Sequence, residues 1–466
     1  MWHERRRRTP SPREQDSALD IVGLLPQFGG LIWTLIAFII ALSVIVAIHE
    51  YGHYIVGRWC GIKADVFSLG FGPVIWSGHD RHGTRWQIAA LPFGGYVKFA
   101  GDANAASGKD EAAMAAVADD PEALRHTMHG APLWARALTV AAGPAFNFAM
   151  SILIFFAVAY TSGVPREPLT VGEMRPLPPV QSELQPGDEV LGINGTPIPE
   201  DETDYRAFLD ALPTEPTLSY DIRRDGREMS VEGPYFLPPV VRQVVPQSAA
   251  IEAGLRPGDV ITAVDGTDIH SFKELKAAVE GSDGAPLALD VWRGGEALAF
   301  TMTPKSVDEP QEDGTFKRAL RIGIAGGSAF EPATETAGIG EALVGGVENT
   351  WRIITGSISG LREMIVGNIS TCNLSGPVGI AQASGAMASQ GAQSFIYFIA
   401  VLSTAVGLLN LFPIPALDGG HLTFYAYEAV TGRPPSDKAL RVLMTIGLGL
   451  VLTLMIFALG NDLFCP

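Results

Sequence analysis

Three ionisable residues, His49, Glu50 and His53, form the pattern H-E-x-x-H. Residues four apart lie on the same face of a helix, so the two imidazoles can bind one metal ion. The carboxylate of Glu50, one position after the first histidine, can act as general base on a water held by that metal. The residue types and their spacing therefore predict a metal site suited to hydrolysis.

The pattern ends a long apolar stretch, residues 31–58. About 20 apolar residues are enough to span a bilayer, and ionisable groups at that depth are costly and point to a functional site. The alternative is a chance pair of helix-end histidines at a membrane interface, because three defined residues make a pattern of moderate specificity. A third ligand elsewhere in the chain is needed to decide between these two interpretations.

A zinc site that performs hydrolysis usually has three protein ligands and one open position. The extended motif of soluble zinc proteases would place a histidine at position 59, which is Trp59. The strongest remaining candidate is Asp418, which ends another apolar stretch and precedes two glycines that allow close backbone approach. We favour Asp418, and the chemistry of the residues leaves His421, just after the glycines, open as an alternative ligand.

Pro413 and Pro415 interrupt the apolar stretch before this carboxylate. Proline breaks a helix and frees backbone groups, which inside a membrane must find other partners. The freed carbonyls and amides can hold a substrate strand, and the side-chain amide of Asn410 can hydrogen-bond it.

The chain has 466 residues, of which 47% are hydrophobic, and a net charge of −17. This length and composition predict two or more domains with membrane content. Acidic residues crowd 101–125 and 183–320, which argues against a nucleic-acid partner. Cys60, Cys372 and Cys465 are far apart and lack C-x-x-C spacing, so they predict neither a disulfide framework nor a thiolate zinc site.

Four apolar blocks are long enough to span a membrane, at about 31–55, 134–161, 394–415 and 440–460. The second contains Gly143, Pro144 and Asn147, which in a span indicate either close helix packing or a direct catalytic role. The predicted fold class is a polytopic α-helical membrane protein with four transmembrane helices, a membrane-associated β segment and two tandem α+β modules. The predicted divisions are a disordered basic tail (1–30), the first transmembrane helix (31–58), β hairpins with a flexible acidic insert (59–132), the second transmembrane helix (133–162), two modules (163–238 and 239–306), a linker with amphipathic helices (307–393), the third transmembrane helix (394–420), and a cytoplasmic loop with the fourth transmembrane helix (421–466).

Residues 61–100 show strand-like alternation between glycine-rich breaks, which predicts β structure. The polar stretch 79–83 fits a hairpin bend, and we interpret His79 and His82 within it as solvated loop residues rather than ligands. Residues 101–130, rich in alanine and aspartate, predict a flexible polar insert.

An internal repeat relates residues 185–195 to residues 256–266, each with Pro-Gly-Asp, an alternating strand and an Asn-Gly or Asp-Gly turn. A helical stretch and a closing strand follow each copy, which predicts two modules that resemble PDZ domains. The second also has Ala253-Gly254-Leu255, whereas the first has a proline-rich segment instead. Such modules can add an extended peptide to a sheet edge, or they can merely fill space and block access. After them, residues 306–340 are typical of a polar linker, and 341–370 predict an amphipathic helix on the membrane.

These motifs together resemble the site-2 protease family. The resemblance rests on the apolar H-E-x-x-H segment, Gly-Tyr-Val-Lys at 95–98, the PDZ-like pair and Asn-x-x-Pro-x-Pro-x-Leu-Asp-Gly at 410–419, and it covers about 31–460. It implies Zn2+ held by His49, His53 and Asp418, with Glu50 as catalytic base. The substrate-binding residues that it implies are Asn410, Pro413, Pro415, Gly95, Tyr96, Val97, Lys98 and Phe99. The arginine-rich tail, the acidic insert and the first module depart from the family pattern.

The resemblance implies a zinc metalloendopeptidase that cleaves transmembrane segments of single-span membrane proteins, such as anti-sigma factors or remnant signal peptides, in regulated intramembrane proteolysis. Expected partners are these substrates, the lipid bilayer and peptide ligands of the PDZ-like modules, with no nucleic acid. The resemblance implies a multi-pass protein of the bacterial inner membrane. Loop charges predict its orientation, with the active site near the cytoplasmic face and the modules outside. The basic residues behind this orientation are Arg58, Lys63, Arg81, Arg85, Lys98, Arg433, Lys438 and Arg441.

Two other functions compete with this one. The first is a catalytically silent membrane scaffold that binds partners through its modules, but such a scaffold has no need of Glu50. The second is a membrane-anchored protease that cleaves soluble segments, against which the uninterrupted apolar residues up to Ile48 argue.

Overall fold

A computed structural model describes residues 21–104, 108–178, 182–199, 202–311 and 316–465 of the chain. The predicted basic tail lies largely outside these residues. However, the first helix begins at Ile21, so the prediction of a disordered segment up to residue 30 is wrong at its end. Apolar residues already dominate the sequence from 21 to 25, and the helix extends to include them.

The N-terminal third contains helix α1 (Ile21–Trp59), strands β1 (Ala64–His79) and β2 (Arg85–Phe99), short helices α2 (Glu111–Ala116) and α3 (Pro121–Arg125), and helix α4 (Leu133–Ser162). The middle third contains β3 (Val164–Pro165), β4 (Val171–Met174), β5 (Glu189–Ile193), β6 (Thr196–Pro197), α5 (Glu202–Ala211), β7 (Thr217–Arg224), β8 (Arg227–Pro234), β9 (Val241–Val244), α6 (Ala249–Ala253), β10 (Val260–Val264), β11 (Thr267–Asp268), α7 (Phe272–Glu280), β12 (Leu287–Arg293), β13 (Glu296–Met302), β14 (Lys305–Pro310), β15 (Phe316–Arg321), β16 (Ile324–Gly326), β17 (Phe330–Pro332) and β18 (Thr334–Glu335). The C-terminal part contains α8 (Ile339–Val366), a 3₁₀ turn (Thr371–Asn373), α9 (Pro377–Ser389), α10 (Ala392–Asn410), α11 (Asp418–Thr431) and α12 (Asp437–Phe464).

Four of these helices are long and apolar enough to cross a membrane, which confirms the predicted number of spans. They are Gly30–Trp59 within α1, together with α4, α10 and α12. In α1 and α12, most side chains point outward rather than into the protein, as expected for helices that face lipid. Helix α4 is the most buried of the four and packs against α1, α8, α10 and α11.

The third span differs from its predicted extent, 394–420. Helix α10 ends at Asn410, and the residues up to Leu417 form turns that include Ala416 at a φ of +91°. Asp418 therefore begins a new helix, α11, rather than ending the span, and α11 replaces much of the predicted cytoplasmic loop. The break at Pro413 and Pro415 was predicted; the helix after it was missed because α11 is short and has mixed polarity.

Strands β1 and β2 fold back on each other as a compact sheet. Residues 66–69 pair on one side with 95–98 and on the other with 85–88, and residues 74–79 pair with 85–89. The order across the sheet is therefore 95–99, 64–69, 85–89, 74–79. Within the described residues, segment 95–99 is thus an edge, and it lies against α1.

Asp80 closes the turn between β1 and β2. Its carboxylate accepts hydrogen bonds from the Thr84 backbone N–H at 2.9 Å and from Tyr54 Oη at 2.5 Å. Burial opposes ionisation, but these bonds outweigh it and lower the pKa of Asp80. His79 and His82 flank this turn and are exposed, in agreement with their predicted place in a solvated bend.

The acidic insert is more ordered than predicted. Helices α2 and α3 form within it, and each has an aspartate cap. Asp110 accepts a hydrogen bond from the Ala113 N–H, and Asp120 accepts from Glu122 and Ala123. Local capping of this kind stabilises short helices in a sequence that otherwise suggests flexibility.

The internal repeat forms two sheets with the same strand order, β6-β5-β7-β8 and β11-β10-β12-β13. In each, the aspartate of Pro-Gly-Asp is an anchor. Asp188 accepts two hydrogen bonds from Arg224, and Asp259 accepts two from Arg293, at 2.6 and 2.7 Å in both cases. The two modules therefore share the same ion pair between a buried aspartate and a partly exposed arginine.

The predicted polar linker after the modules is wrong, because five strands, β14 to β18, lie within the described residues of this region. Strand β16 pairs with β9, β17 with β4, and β18 with β3. Each of these short strands forms a two-stranded sheet with a strand that lies tens of residues or more earlier in the chain. Alternation within the segment does not reveal such a pairing. The predicted amphipathic helix is present as α8, which carries exposed apolar side chains including Leu343, Val347 and Trp351.

The prediction that the cysteines form no disulfide is also wrong. Cys372, in the 3₁₀ turn, is bonded to Cys465 after α12, across 93 residues of sequence, while Cys60 is a buried free thiol. The carboxylate of Asp462 further accepts hydrogen bonds from the backbone N–H groups of Gly376, Val378 and Gly379 at the start of α9. The end of α12 is thus tied to the start of α9.

Candidate active site

Helices α1 and α4 meet at backbone contact where the H-E-x-x-H segment lies. A Cβ atom at Gly52 would be 2.5 Å from the carbonyl oxygen of Ala142. One at Gly143 would lie 2.8 Å from Cε1 of His49, and closer still to the ring of His53. Glycine at both positions therefore lets the helices approach until the two imidazoles fill the space above α4.

The two histidines project from one face of α1, as their spacing predicts. Their Nε2 atoms are 3.2 Å apart. Nδ1 of His53 lies 2.8 Å from the carbonyl oxygen of Thr139 on α4. Because a carbonyl only accepts, Nδ1 of His53 carries the proton, and its Nε2 keeps a free lone pair.

Asp418 reaches these atoms because the chain breaks after α10. The turn residues pack directly under the start of α11, so that a Cβ at Gly419 would overlap the carbonyl oxygens of Leu411 and Phe412, and one at Gly420 would lie 2.5 Å from that of Ile414. The two glycines of the motif are therefore required by close backbone contact.

Helix α11 is held on α4 by an ion pair. Arg136 donates to both carboxylate oxygens of Glu428, at 2.6 and 3.1 Å, and its guanidinium lies over the ring of Tyr425. Both partners are largely buried, at 14% and 17% exposure of their side chains. This pair fixes the far end of the helix whose first residue is Asp418.

The side chains of His49, His53 and Asp418 converge on one point. Asp418 Oδ2 lies 3.1 Å from His49 Nε2 and 3.5 Å from His53 Nε2. Within the described part of the chain, this is the one group of three or more His, Cys, Asp or Glu side chains spaced to hold a metal ion. His421, the alternative ligand, is outside this group; its ring lies edge-on to Phe424.

The donor set fits zinc. Ligand distances of about 2.0–2.2 Å around a tetrahedral ion place the ligand atoms roughly 3.3 Å apart, close to the separations of 3.1, 3.2 and 3.5 Å found here. Asp418 Oδ2 is buried and receives no hydrogen bond from any described donor. A buried carboxylate oxygen that faces an imidazole lone pair needs a cation between them.

Glu50 lies close to the other three side chains and also faces the β sheet. A Cβ at Gly95 would lie 3.1 Å from Glu50 Cγ, and the backbone N–H of Val97 is within hydrogen-bonding reach of the carboxylate. The edge segment 95–99 therefore passes directly beside the predicted general base. Around it, Tyr96 stacks on Phe71, and Phe99 is buried against Gly57 of α1.

The remaining predicted substrate residues lie near the break after α10. Asn410 is the last residue of that helix, and its side-chain amide donates to the carbonyl oxygen of Val406 at 3.1 Å. Pro413 lies in the turns, and the carbonyl of Pro415 packs against Gly447 of α12. Lys98 is half-buried in the edge segment.

Residues of α4 supply contacts that sequence reasoning identified only in part. The sequence does not point to Thr139, because the contact with His53 is made by its backbone carbonyl, which any residue would supply. Gly143 and Asn147 were noted as unusual in a span; the structure places Gly143 under both rings and the amide of Asn147 3.2 Å from Nδ1 of His49.

The sequence profile of peptidase family M50 matches residues 37–454. The chain belongs to this family. An Agrobacterium fabrum relative that bears the name zinc metalloprotease is 36% identical over 433 residues, which cover 92% of this chain and 95% of the relative. The regulator of sigma-E protease RseP of Salmonella typhimurium is 34% identical over 460 residues, and that of Escherichia coli is 32% identical over 460 residues; the matches cover 93% and 92% of this chain and 98% of each relative. This M50 chain is thus a metalloprotease, the predicted enzyme class and site-2 protease resemblance are confirmed, and zinc is the metal of its family.

Proposed function

We propose that this protein is an intramembrane zinc protease in which His49, His53 and Asp418 hold the metal and Glu50 is the catalytic base. The observation that carries the proposal is the convergence of Nε2, Nε2 and Oδ2 within 3.5 Å at a junction of apolar helices. Two of these ligands lie on one candidate span and the third follows another, so the site is assembled only within the membrane-spanning part of the fold.

Zinc, when bound, supplies a Lewis acid that polarises the scissile carbonyl and lowers the pKa of a water towards about 7. The chain's own groups do the remaining work. Glu50 takes a proton from the attacking water on its carboxylate and returns it to the leaving amine. The Val97 N–H orients this carboxylate, and the Thr139 carbonyl holds the His53 ring.

A transmembrane substrate must be unwound before attack, because a helix buries its carbonyls in its own hydrogen bonds. Segment 95–99 is a sheet edge beside Glu50, so an extended substrate added to it would pass the base. We expect Lys98→Pro, which disrupts the pairing of this strand, to lower cleavage strongly. Lys98→Ala, which removes the same side chain but preserves the strand, should have little effect. Equal cleavage by both variants would refute this clamp.

The substrates proposed are single-span membrane proteins, including anti-sigma factors and remnant signal peptides, in regulated intramembrane proteolysis. Two relatives are named regulator of sigma-E protease, which supports this class. The decisive test is co-expression of a tagged single-span substrate with wild type or Glu50→Gln. Cleavage inside the span by wild type alone is expected. Equal cleavage with both would defeat the protease role, and cleavage only outside the span would favour a membrane-anchored protease of soluble segments.

We also propose that the modules are extracytoplasmic and that the active site lies near the cytoplasmic face of the inner membrane. The disulfide supports this orientation. Gln393 at the start of α10 donates a hydrogen bond to Ser162 at the end of α4, so the chain enters and leaves the modules from the same end of the helix bundle. The Cys372–Cys465 bond ties the end of α12 to this same end of the bundle. Disulfides persist in oxidising compartments, which supports assigning this end to the outer side.

The orientation is tested with a membrane-impermeant thiol reagent on intact spheroplasts after mild reduction. We expect Cys372 and Cys465 to be labelled without permeabilisation. A cysteine introduced by Arg433→Cys, in the turn between α11 and α12 of a chain whose three native cysteines are replaced by serine, should need it. The reverse pattern would overturn the orientation.

The two modules are proposed to be PDZ-like and to take peptide ligands. Their common strand order and matching Asp–Arg anchors support one module type. Titration of the full chain in detergent with peptides of varied C-terminal sequence tests the proposal; saturable, sequence-dependent binding supports it, and no binding would leave the modules as spacers.

A further inference from the structure

The polar contact between α4 and the first ligand histidine has no part in the mechanism above. The side-chain amide of Asn147 lies 3.2 Å from Nδ1 of His49. Asn147 is completely buried, at 0% exposure, inside the group of candidate spans. An amide in such a place is costly unless it is hydrogen-bonded, so its contact with the imidazole needs an explanation.

The identity of the atoms in this contact follows from the other end of the ring. Nε2 of His49 points at Asp418 Oδ2, 3.1 Å away, and at His53 Nε2. If Nε2 binds the metal, it keeps its lone pair, and the proton of the neutral imidazole lies on Nδ1. Nδ1 is then a donor and requires an acceptor.

The acceptor available to it is Oδ1 of Asn147. An amide nitrogen and a protonated Nδ1 are both donors and cannot bond to each other, whereas rotation of the amide by 180° brings its oxygen to the ring. In the orientation with the amide nitrogen towards the ring, Oδ1 points away from it, is buried and receives no hydrogen bond from the described residues. The rotation therefore converts a contact between two donors into a hydrogen bond.

The backbone of Asn147 is held firmly enough to orient a ring. Its carbonyl oxygen accepts hydrogen bonds from Ser151 and from Ser403 of α10, each at 3.0 Å. Ser151 shares its hydroxyl with the carbonyl of Ala400, and both serines are fully buried. Helices α4 and α10 are thus joined at the residue whose side chain meets His49.

We propose that Asn147 is a positioning residue for the metal site: its Oδ1 accepts a hydrogen bond from Nδ1–H of His49 and so directs the Nε2 lone pair to the metal. This inference rests on the metal site proposed above. It gives each ligand histidine an acceptor on α4: the backbone carbonyl of Thr139 serves His53, and a replaceable side chain serves His49.

The test measures zinc affinity of the full chain in detergent by competition with a chelator of known affinity, besides cleavage. Asn147→Leu keeps the volume and removes the acceptor, and we expect zinc to bind 10–100-fold more weakly. Asn147→Asp keeps an acceptor oxygen at the same position and makes the imidazole more basic, so its affinity should equal or exceed that of wild type. Thr161→Val, near the end of α4 and with its hydroxyl bonded to the backbone of its own helix, should leave affinity unchanged.

The order of affinities separates positioning from packing. If Asn147 only fills space, the Leu and Asp variants will change thermal stability, but their zinc affinities will not fall in the order Asp, wild type, Leu. Wild-type zinc affinity in Asn147→Leu would overturn the inference. Should Asn147→Leu fail to fold, Asn147→Ala replaces it in the comparison with Asn147→Asp. Asp418→Ala serves as the control for the site itself. Wild-type zinc affinity in Asp418→Ala would defeat the proposed metal site, and with it this inference. Loss of zinc in Asp418→Ala together with unchanged zinc binding in Asn147→Leu would defeat the inference alone.

Discussion

Gly143 offers the sharpest test of the site geometry, because one methyl group added there should displace both histidines. The new Cβ would lie 2.5 Å from Cε1 of His53 and 2.8 Å from Cε1 of His49. Carbon atoms pack at about 3.5 Å or more, so the rings must move by about 1 Å and 0.7 Å. Zinc ligands tolerate about 0.2 Å.

We therefore expect Gly143→Ala to weaken zinc binding at least 100-fold, about 2.8 kcal/mol at 1.4 kcal/mol per factor of ten, and to abolish cleavage. The fold should persist, since alanine is intrinsically about 1 kcal/mol better than glycine in a helix. Gly449→Ala in α12 is the matched control, because a Cβ there meets no atom within 4 Å.

The assays are chelator competition for zinc, cleavage of a single-span substrate and thermal unfolding of the metal-free protein. Gly143→Ala should lose the first two and keep the third, whereas the control should keep all three. Wild-type zinc affinity in Gly143→Ala would refute the proposed site, because it would show that the metal-binding histidine rings do not pack against Gly143. Loss of stability without selective loss of zinc would point to helix packing instead.

Two further predictions concern the elements around the site. Arg136→Met should lower the free energy of unfolding by about 3–5 kcal/mol, because it leaves the buried Glu428 without a partner. Adding Glu428→Gln to this variant should restore much of the loss in thermal unfolding. Equal stability of the single and the double variant would contradict the role of the pair. The hydrogen bond from the Ser370 N–H lowers the pKa of Asp308, so this carboxylate stabilises the link between β14 and the disulfide region above about pH 4 and loses that contribution as the pH falls further. Hydrogen exchange of residues 367–374 should accordingly differ between wild type and Asp308→Asn at pH 6, and the difference should shrink as the pH falls below about 4. A difference that stays constant in acid would argue against this link.

The sequence alone was sufficient for features that depend on local periodicity. Apolar length identified the four spans, because a bilayer sets a minimum length that few soluble segments reach. The four-residue spacing of His49 and His53 placed both on one helix face, and Pro413 and Pro415 located the break before Asp418. The repeated Pro-Gly-Asp likewise predicted two modules of one type.

What the sequence left open depends on contacts between distant segments. It favoured Asp418 but could not exclude His421, because the two are three positions apart on one helix and only the packing of α11 on α4 decides which one faces α1. It gave no reason to pair β16 with β9 or Cys372 with Cys465, since neither pairing leaves a local pattern.

The metal site itself shows this division between local and tertiary information. H-E-x-x-H is local chemistry, legible in five residues because helix geometry alone aligns its side chains. The third ligand, the carbonyl that orients His53 and the glycine that admits both rings come from α4 and α11, and only the tertiary fold brings these distant segments within bonding distance.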